Sequence, residues 1–253
     1  MESKLLNLHD IELEELLVSD FIQKYEKLHR NFYDRLCRLH TTIVIIKKIE
    51  EFPFKFFITP AKMAFWQMAF WNFYHMAIII IYTFVEKKRN TINLITFIKS
   101  FQKNIKQVFL EPYKKQLEHV KYDDEVEKIR SKVTDIRNKI VAHIVYENIN
   151  DIKDLSISDL DDLFIRLKKL FDVFTFGSKY HETRFLDFFP STIGGKPTQS
   201  HLDDIFDLIM KDSGFLNKPE RIGPAWKNLK KLKQPEEIVI LNYYRKKFGM
   251  PEV

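Results

Sequence analysis

The feature that most restricts the fold of this chain is the placement of its glycines. All six glycines, and six of the nine prolines, come after residue 176 of the 253-residue sequence. Because glycine and proline interrupt regular structure more than other residues, the first 176 residues are expected to form long helices with short connections. We therefore predict an all-α chain, with a helical bundle over residues 1–176 and a helical, loop-rich extension over residues 177–253.

Apolar residues in the first 176 positions recur at intervals of three and four, which is the spacing of one helical face. This spacing predicts five helices in the bundle. The first four cover about 10–51, where the run could contain one break, then 60–85, about 91–108 and 122–143. The fifth begins after Ser156 or Ser158 and runs to about 176. Two shorter helices are expected in the extension, at 201–213 and 235–248.

The second predicted helix contains 23 residues, 63–85, without a formal charge. A segment of this length can span a bilayer, and three basic residues, 87–89, follow it as they would on a cytoplasmic side. However, Gln67, Asn72 and His75 lie inside it, and such polar groups are costly in lipid. The neighbouring amphipathic helices also need an apolar partner. We favour a helix that is buried on all its sides within the bundle, with membrane association as the alternative.

Composition excludes several kinds of site. The single cysteine, Cys37, cannot form a disulfide framework or a cysteine-built zinc site. The histidines show no paired spacing typical of metal ligands, so we expect no metal and no cofactor. The first 15 residues are polar and acidic, unlike a signal peptide, and a cytoplasmic location is expected. The net charge of +6 is compatible with a nucleic-acid partner.

The fourth predicted helix carries a short motif that indicates chemistry. Arg137 is followed by the polar residue Asn138, and five residues lie between Arg137 and His143. This pattern resembles the signature of the HEPN superfamily, in which four to six residues, the first of them usually polar, lie between an arginine and a histidine. Arg35 and His40 share the spacing but lie in the middle of the first helix without the polar residue. The order of the helices is also similar to that of HEPN proteins of abortive-infection and toxin–antitoxin systems.

The resemblance implies a metal-independent RNA endonuclease with Arg137 and His143 as catalytic residues and Asn138 in support. A histidine can act as base or acid near neutral pH, and an arginine fork matches phosphate oxygens. Such an enzyme would leave a 2′,3′-cyclic phosphate and a 5′-hydroxyl. A partner antitoxin is a further possibility that the family suggests.

Helix geometry adds a constraint to this interpretation. Six positions along a straight α-helix separate two side chains by about 120° and about 9 Å of rise. Arg137 and His143 would therefore not face each other squarely within one chain, although the long arginine side chain could swing part of the way or the helix could end before His143. A two-fold homodimer would bring two arginines and two histidines into one cleft, and HEPN ribonucleases are dimers with a shared cleft.

Three alternatives remain open at the level of sequence. The chain could be a non-catalytic HEPN module that binds a nucleotide or a partner protein through the same cleft. It could associate with a membrane through the second helix. The motif could also be structural, with Arg137 paired to Asp135 or Glu147 and His143 favoured by the helix dipole.

Two further groups of residues are candidates without a settled role. Lys139 and, in the extension, Lys230 and Lys231 are possible RNA contacts, since basic clusters with nearby aromatic residues bind phosphate backbones. Tyr146 lies three positions after the histidine, whereas some HEPN toxins carry a modified tyrosine two positions after it. The role of Tyr146 is therefore left open.

Overall fold

The structure is a computed structural model that describes residues 8–52, 60–88, 91–143, 155–180, 192–193, 196–212 and 235–252. These residues are mostly helical, which confirms the all-α prediction, although two-residue strands at Thr192–Ile193 and Lys196–Pro197 pair with each other. The helices are α1 (Leu13–Leu16), α2 (Ser19–Glu51), α3 (Pro60–Val85), α4 (Leu94–Asn104), α5 (Gln107–His119), α6 (Tyr122–His143), α7 (Ile157–Asp172), α8 (Thr198–Asp212) and α9 (Pro235–Lys247). Short 3₁₀ turns lie at Leu8–Asp10 and Ser178–Tyr180. The finer expectation of a HEPN-like arrangement stays a prediction.

The chain forms two compact units. The first comprises Met1–Val44 and Asn72–Thr192, and the second comprises Ile45–Trp71 and Ile193–Val253. The last turns of α2 and the first turns of α3 therefore belong to the second unit. The boundary predicted after residue 176 lies inside the second segment of the first unit.

Helix α6 follows the apolar spacing read from the sequence. The six residues that define its apolar face are all buried: Tyr122, Val126, Ile129, Val133, Ile136 and Ile140. This face packs on α7 and α5. Helix α7 begins at a capping box in which the Ser156 hydroxyl accepts from the backbone of Asp159, so Ser156 rather than Ser158 is the N-cap.

The third predicted helix is broken into α4 and α5, and this break was not expected. Ile105 is extended and pairs with Leu17 across an isolated β-bridge, where the chain also breaks between α1 and α2. The backbone N–H of Lys106 donates to the carbonyl of Leu16 at 2.9 Å, and that of Val18 donates to the carbonyl of Asn104 at 3.0 Å. The two breaks therefore satisfy each other's backbone groups, which a buried interruption requires.

Aromatic side chains fill the first unit where α2 meets the end of α7. Tyr25 is fully buried and donates its hydroxyl hydrogen bond to the carbonyl of Phe174. One turn later His29 lies 3.2 Å from the hydroxyl of Thr175 through Nε2, and its ring packs on Phe171. This burial lowers the pKa of His29 to about 3, so the imidazole is neutral.

The second unit has a small aromatic cluster of its own. Phe206 of α8 stacks on Phe52 with ring centroids 4.3 Å apart, and Trp66 meets it edge-on at 5.6 Å. Ion pairs surround the cluster, with Lys48 to Asp203 at 3.0 Å and Lys247 to Asp207 at 2.7 Å. The lysines predicted to contact RNA from the extension, Lys230 and Lys231, lie outside the described residues.

Helix α3 is not buried on all sides, which corrects the sequence interpretation. Its residues Ala64–Val85 have a mean hydropathy of 1.5, and this is the one helix in the described part of the chain that is long and apolar enough to cross a membrane. Only 33% of that window is buried. The buried face includes Ala77, Ile78, Ile81 and Phe84, whereas the exposed face carries Phe65, Met68, Met76 and Ile79. The helix is therefore apolar on two faces and packed through one.

Candidate functional site

Arg137 is half-buried near the end of α6, with its guanidinium against α3. Its Cζ atom lies 4.9 Å from the centroid of the Tyr82 ring, which is the geometry of a cation–π interaction. Its Nη1 also donates a hydrogen bond of 3.1 Å to Oδ1 of Asn138. Asn138 thus orients the arginine by accepting a hydrogen bond through its amide oxygen.

Arg137 has no carboxylate partner among the residues that the structure describes. The cations earlier in α6 all have one: Lys128 pairs with Glu125 at 2.8 Å, Arg130 pairs with Glu127, and Lys132 pairs with Asp159 at 3.4 Å. The Arg130 hydrogen bond also holds the pKa of Glu127 below its usual value. The predicted ion pair of Arg137 with Asp135 is not formed, and Glu147 lies outside the described residues.

Helix α6 continues through His143, so the helix does not end before the histidine. The side chain of His143 lies outside the part of the chain that the structure describes. Along the helical backbone, positions 137 and 143 are about 120° apart around the axis and about 9 Å apart along it.

Lys139 is exposed on α6, two positions after Arg137. Two positions correspond to about 200° of rotation, so Lys139 leaves α6 on nearly the opposite side from Arg137. The structure therefore places Lys139 and Arg137 on different sides of α6. Tyr146 lies outside the described residues.

The other arginine with HEPN-like spacing, Arg35, has a structural environment. Its guanidinium lies between the rings of Phe32 and Phe84, with Cζ 5.0 and 5.4 Å from their centroids. It donates to the carbonyl of Ile92 at 2.6 Å and to the Asn31 amide oxygen at 2.9 and 2.8 Å. Arg35 thus joins α2 to the end of α3 and to the chain entering α4, and its donors are occupied by the protein itself.

Tyr82 is the site residue that sequence analysis missed. It lies one turn before the end of α3. Because α3 is apolar throughout and contains many aromatic residues, the sequence does not distinguish Tyr82 from the others. No pattern in the sequence marks Tyr82 as the aromatic partner of Arg137. Sequence alone does not give the register that joins Tyr82 to Arg137.

Within the described residues, no group of three or more histidine, cysteine, aspartate or glutamate side chains is placed to hold a metal ion. Comparison of the chain with protein-family models, with curated proteins and with solved structures finds no match. The HEPN resemblance therefore rests on the Arg137–His143 motif and its helical setting.

Proposed function

We propose that this chain is a metal-independent RNA endonuclease of the HEPN type, acting in a toxin–antitoxin or phage-defence system as a homodimer with a shared Arg137–His143 cleft. The observation that carries the proposal is the environment of Arg137. Its guanidinium is held in place by Tyr82 and Asn138 yet lacks a carboxylate among the described residues. An arginine that is positioned but not neutralised is suited to bind a phosphodiester.

The continuous α6 helix supports a site built from two subunits. Positions 137 and 143 lie about 120° apart around one helix, so two protomers would form a site from both residues more simply than one. A two-fold axis beside α6 would place the arginine of each subunit near the histidine of the other. The proposal therefore requires a surface that pairs two copies next to Arg137.

An exposed apolar surface next to Arg137 supports such pairing. Met76 and Ile79 of α3 are each 40% exposed. Ile79 lies one helical turn before Tyr82, the residue that contacts Arg137. Exposed apolar patches rimmed by polar residues mark interaction surfaces. A second copy that covers Ile79 would come close to both Arg137 residues.

The chemistry of such a cleft uses one histidine as base and the other as acid. His143 of one subunit removes the proton of the ribose 2′-hydroxyl, and the 2′-oxygen attacks the adjacent phosphorus. The two Arg137 guanidiniums stabilise the charge that develops on the phosphate oxygens. His143 of the second subunit donates its proton to the leaving 5′-oxygen. The products are a 2′,3′-cyclic phosphate and a free 5′-hydroxyl.

Cleavage of RNA in the presence of EDTA tests the proposal. Arg137→Ala and His143→Ala should each reduce the rate by about 100-fold or more, as removal of a charge-stabilising donor or of a catalytic base does. Arg166→Ala is a matched control, because Arg166 is an exposed arginine of α7 already paired with Glu125. Full activity in both site variants would refute the assignment. Folded protein that binds RNA or a nucleotide without cutting would instead favour the non-catalytic module.

A second experiment tests the dimer. Ile79→Asp should convert the protein to a monomer in sedimentation and should abolish cleavage, since it places a charge in the proposed interface. Ile165→Asp changes an isoleucine of similar exposure, 47%, on α7 and should leave both properties unchanged. A wild-type protein that is active and strictly monomeric would contradict the shared cleft.

A further inference from the structure

A groove of about 810 Å³ runs along the first turns of α2 in the first unit, away in sequence from Arg137. One wall is formed by α2 residues between Asp20 and Tyr33, and the other by Lys179 and Tyr180 of the 3₁₀ turn after α7. All of its lining residues are described. The groove is thus a feature of one protomer and is separate from the α6 site.

The groove is positively charged. Its lining contains four cations, Lys24, Lys27, Arg30 and Lys179, against two carboxylates, Asp20 and Glu26, which gives a net charge of +2. Glu26 is already paired with Lys179 at 2.7 Å. Lys27 and Arg30 are exposed and form no ion pair with a described residue. Two or three cations on one side of α2 are therefore available to an anionic ligand.

Aromatic rings line the same groove. Tyr180 is half-buried and packs against His29 with ring centroids 4.3 Å apart. Tyr33, one turn after His29 on α2, is also half-buried. Because His29 is buried and neutral, it supports the Tyr180 ring without adding charge. Cations in a row beside partly exposed rings form the arrangement that binds single-stranded nucleic acid, with phosphates on the cations and bases stacked on the rings.

We propose that this groove is a binding site for single-stranded RNA, with backbone phosphates on Lys24, Lys27 and Arg30 and a base against Tyr180. The choice of RNA as the ligand rests on the proposed function. The groove and its charges are features of the structure and do not depend on that function. A flexible strand held here would raise the local concentration of RNA at the protein without taking part in cleavage. An acidic peptide would use the same cations but would gain nothing from the rings.

Fluorescence anisotropy with a labelled oligouridine of roughly 12 nucleotides, in EDTA, tests this site. The measurement uses the full chain carrying Arg137→Ala, which prevents cleavage and leaves the groove intact. Adding Lys27→Ala and Arg30→Ala together should raise the Kd by about tenfold or more. It should also reduce the slope of log K against log salt by about 1.4, as expected for two lost phosphate contacts. The control removes equal charge from α5 through Lys114→Ala and Lys115→Ala, and less than about twofold change is expected there.

The aromatic contact is tested separately with Tyr180→Phe and Tyr180→Ala. The phenylalanine variant keeps the ring on His29 and should bind RNA like its parent, while the alanine variant should weaken binding by about fivefold or more. The proposal is overturned if the groove variants bind RNA as tightly as the α5 control. It is also overturned if polyglutamate displaces the RNA and Tyr180→Ala binds RNA like its parent, because the groove would then recognise acidic chains without using the ring. Failure of this proposal and failure of the proposed function can be told apart. If α6 does not catalyse cleavage, the anisotropy assay still measures RNA binding in the groove. If the groove does not bind RNA, the cleavage assay at saturating RNA still measures the activity of the α6 site.

Discussion

Replacing Arg35 with alanine should destabilise the protein strongly, although Arg35 carries no proposed chemistry. The change removes a charge-assisted hydrogen bond of 2.6 Å to the carbonyl of Ile92, and a bond of this kind contributes about 1.5–3 kcal/mol. It also removes cation–π contacts with Phe32 and Phe84, at about 0.5–1 kcal/mol each. The long contacts to Thr83, at 3.3 and 3.4 Å, add little. The expected loss is about 2.5–5 kcal/mol, which lowers the thermal midpoint of a chain of this size by about 5–20 °C.

Arg137→Ala is the matched control, because it removes the same side chain from the other arginine with HEPN-like spacing. Arg137 makes one exposed hydrogen bond to its neighbour and one cation–π contact, so its loss should cost about 1 kcal/mol or about 2–4 °C. The thermal midpoint followed by circular dichroism distinguishes the two variants. If Arg137→Ala is as destabilising as Arg35→Ala, Arg137 is a structural residue and its availability to a phosphate is refuted.

Three further outcomes follow from particular contacts. Tyr82→Ala should lower the rate of RNA cleavage by about three- to tenfold, because it releases Arg137, whereas Tyr82→Phe keeps the ring and should retain the rate. Equal cleavage rates in the two variants would show that the ring does not position Arg137. Burial lowers the pKa of His29 from 6.5 to about 3. Between pH 6.5 and pH 3 the unfolded state therefore binds more protons than the folded state, and the free energy of unfolding falls by about 1.4 kcal/mol for each unit by which the pH is lowered. His29→Gln should flatten this acid decline in the thermal midpoint, and an unchanged decline would place its origin elsewhere. Ser156→Ala removes the N-cap of α7 and should cost about 1 kcal/mol in unfolding free energy. Ser158→Ala changes an exposed serine two residues further along and should cost little. The reverse order would contradict the capping box.

The helical elements were predictable wherever one face alone determines the packing. Helix α6 is the clearest case, since the apolar residues that recur at intervals of three and four in its sequence are the residues that are buried in the structure. The α4–α5 break could not be read in the same way. It exists because Ile105 and Leu17 pair as extended residues, and a contact between positions 88 residues apart leaves no periodic trace. Propensity favoured a continuous helix, and tertiary hydrogen bonding interrupted it.

Helix α3 shows a different limit of sequence analysis. A helix that is apolar on all sides predicts that every side needs an apolar environment, but not which environment each side has. In the described structure one side packs within the chain and the side with Met76 and Ile79 does not. A second subunit and a lipid surface would both satisfy that side. Ile79→Asp separates them, because a dimer would dissociate in detergent-free buffer, whereas a lipid-bound protein would instead lose its affinity for vesicles.

The candidate site could be named from sequence only as a pair of residues and not as a geometry. The motif fixes six positions between Arg137 and His143, and a helix converts that spacing into about 120° of divergence. Had α6 ended early, the two side chains could converge within one chain and no dimer would be needed. Because α6 remains helical through His143, we propose that a second copy supplies the partner of each residue. An active and strictly monomeric protein would therefore refute the shared cleft, whereas the catalytic assignment itself stands or falls with the activity of the Arg137→Ala and His143→Ala variants.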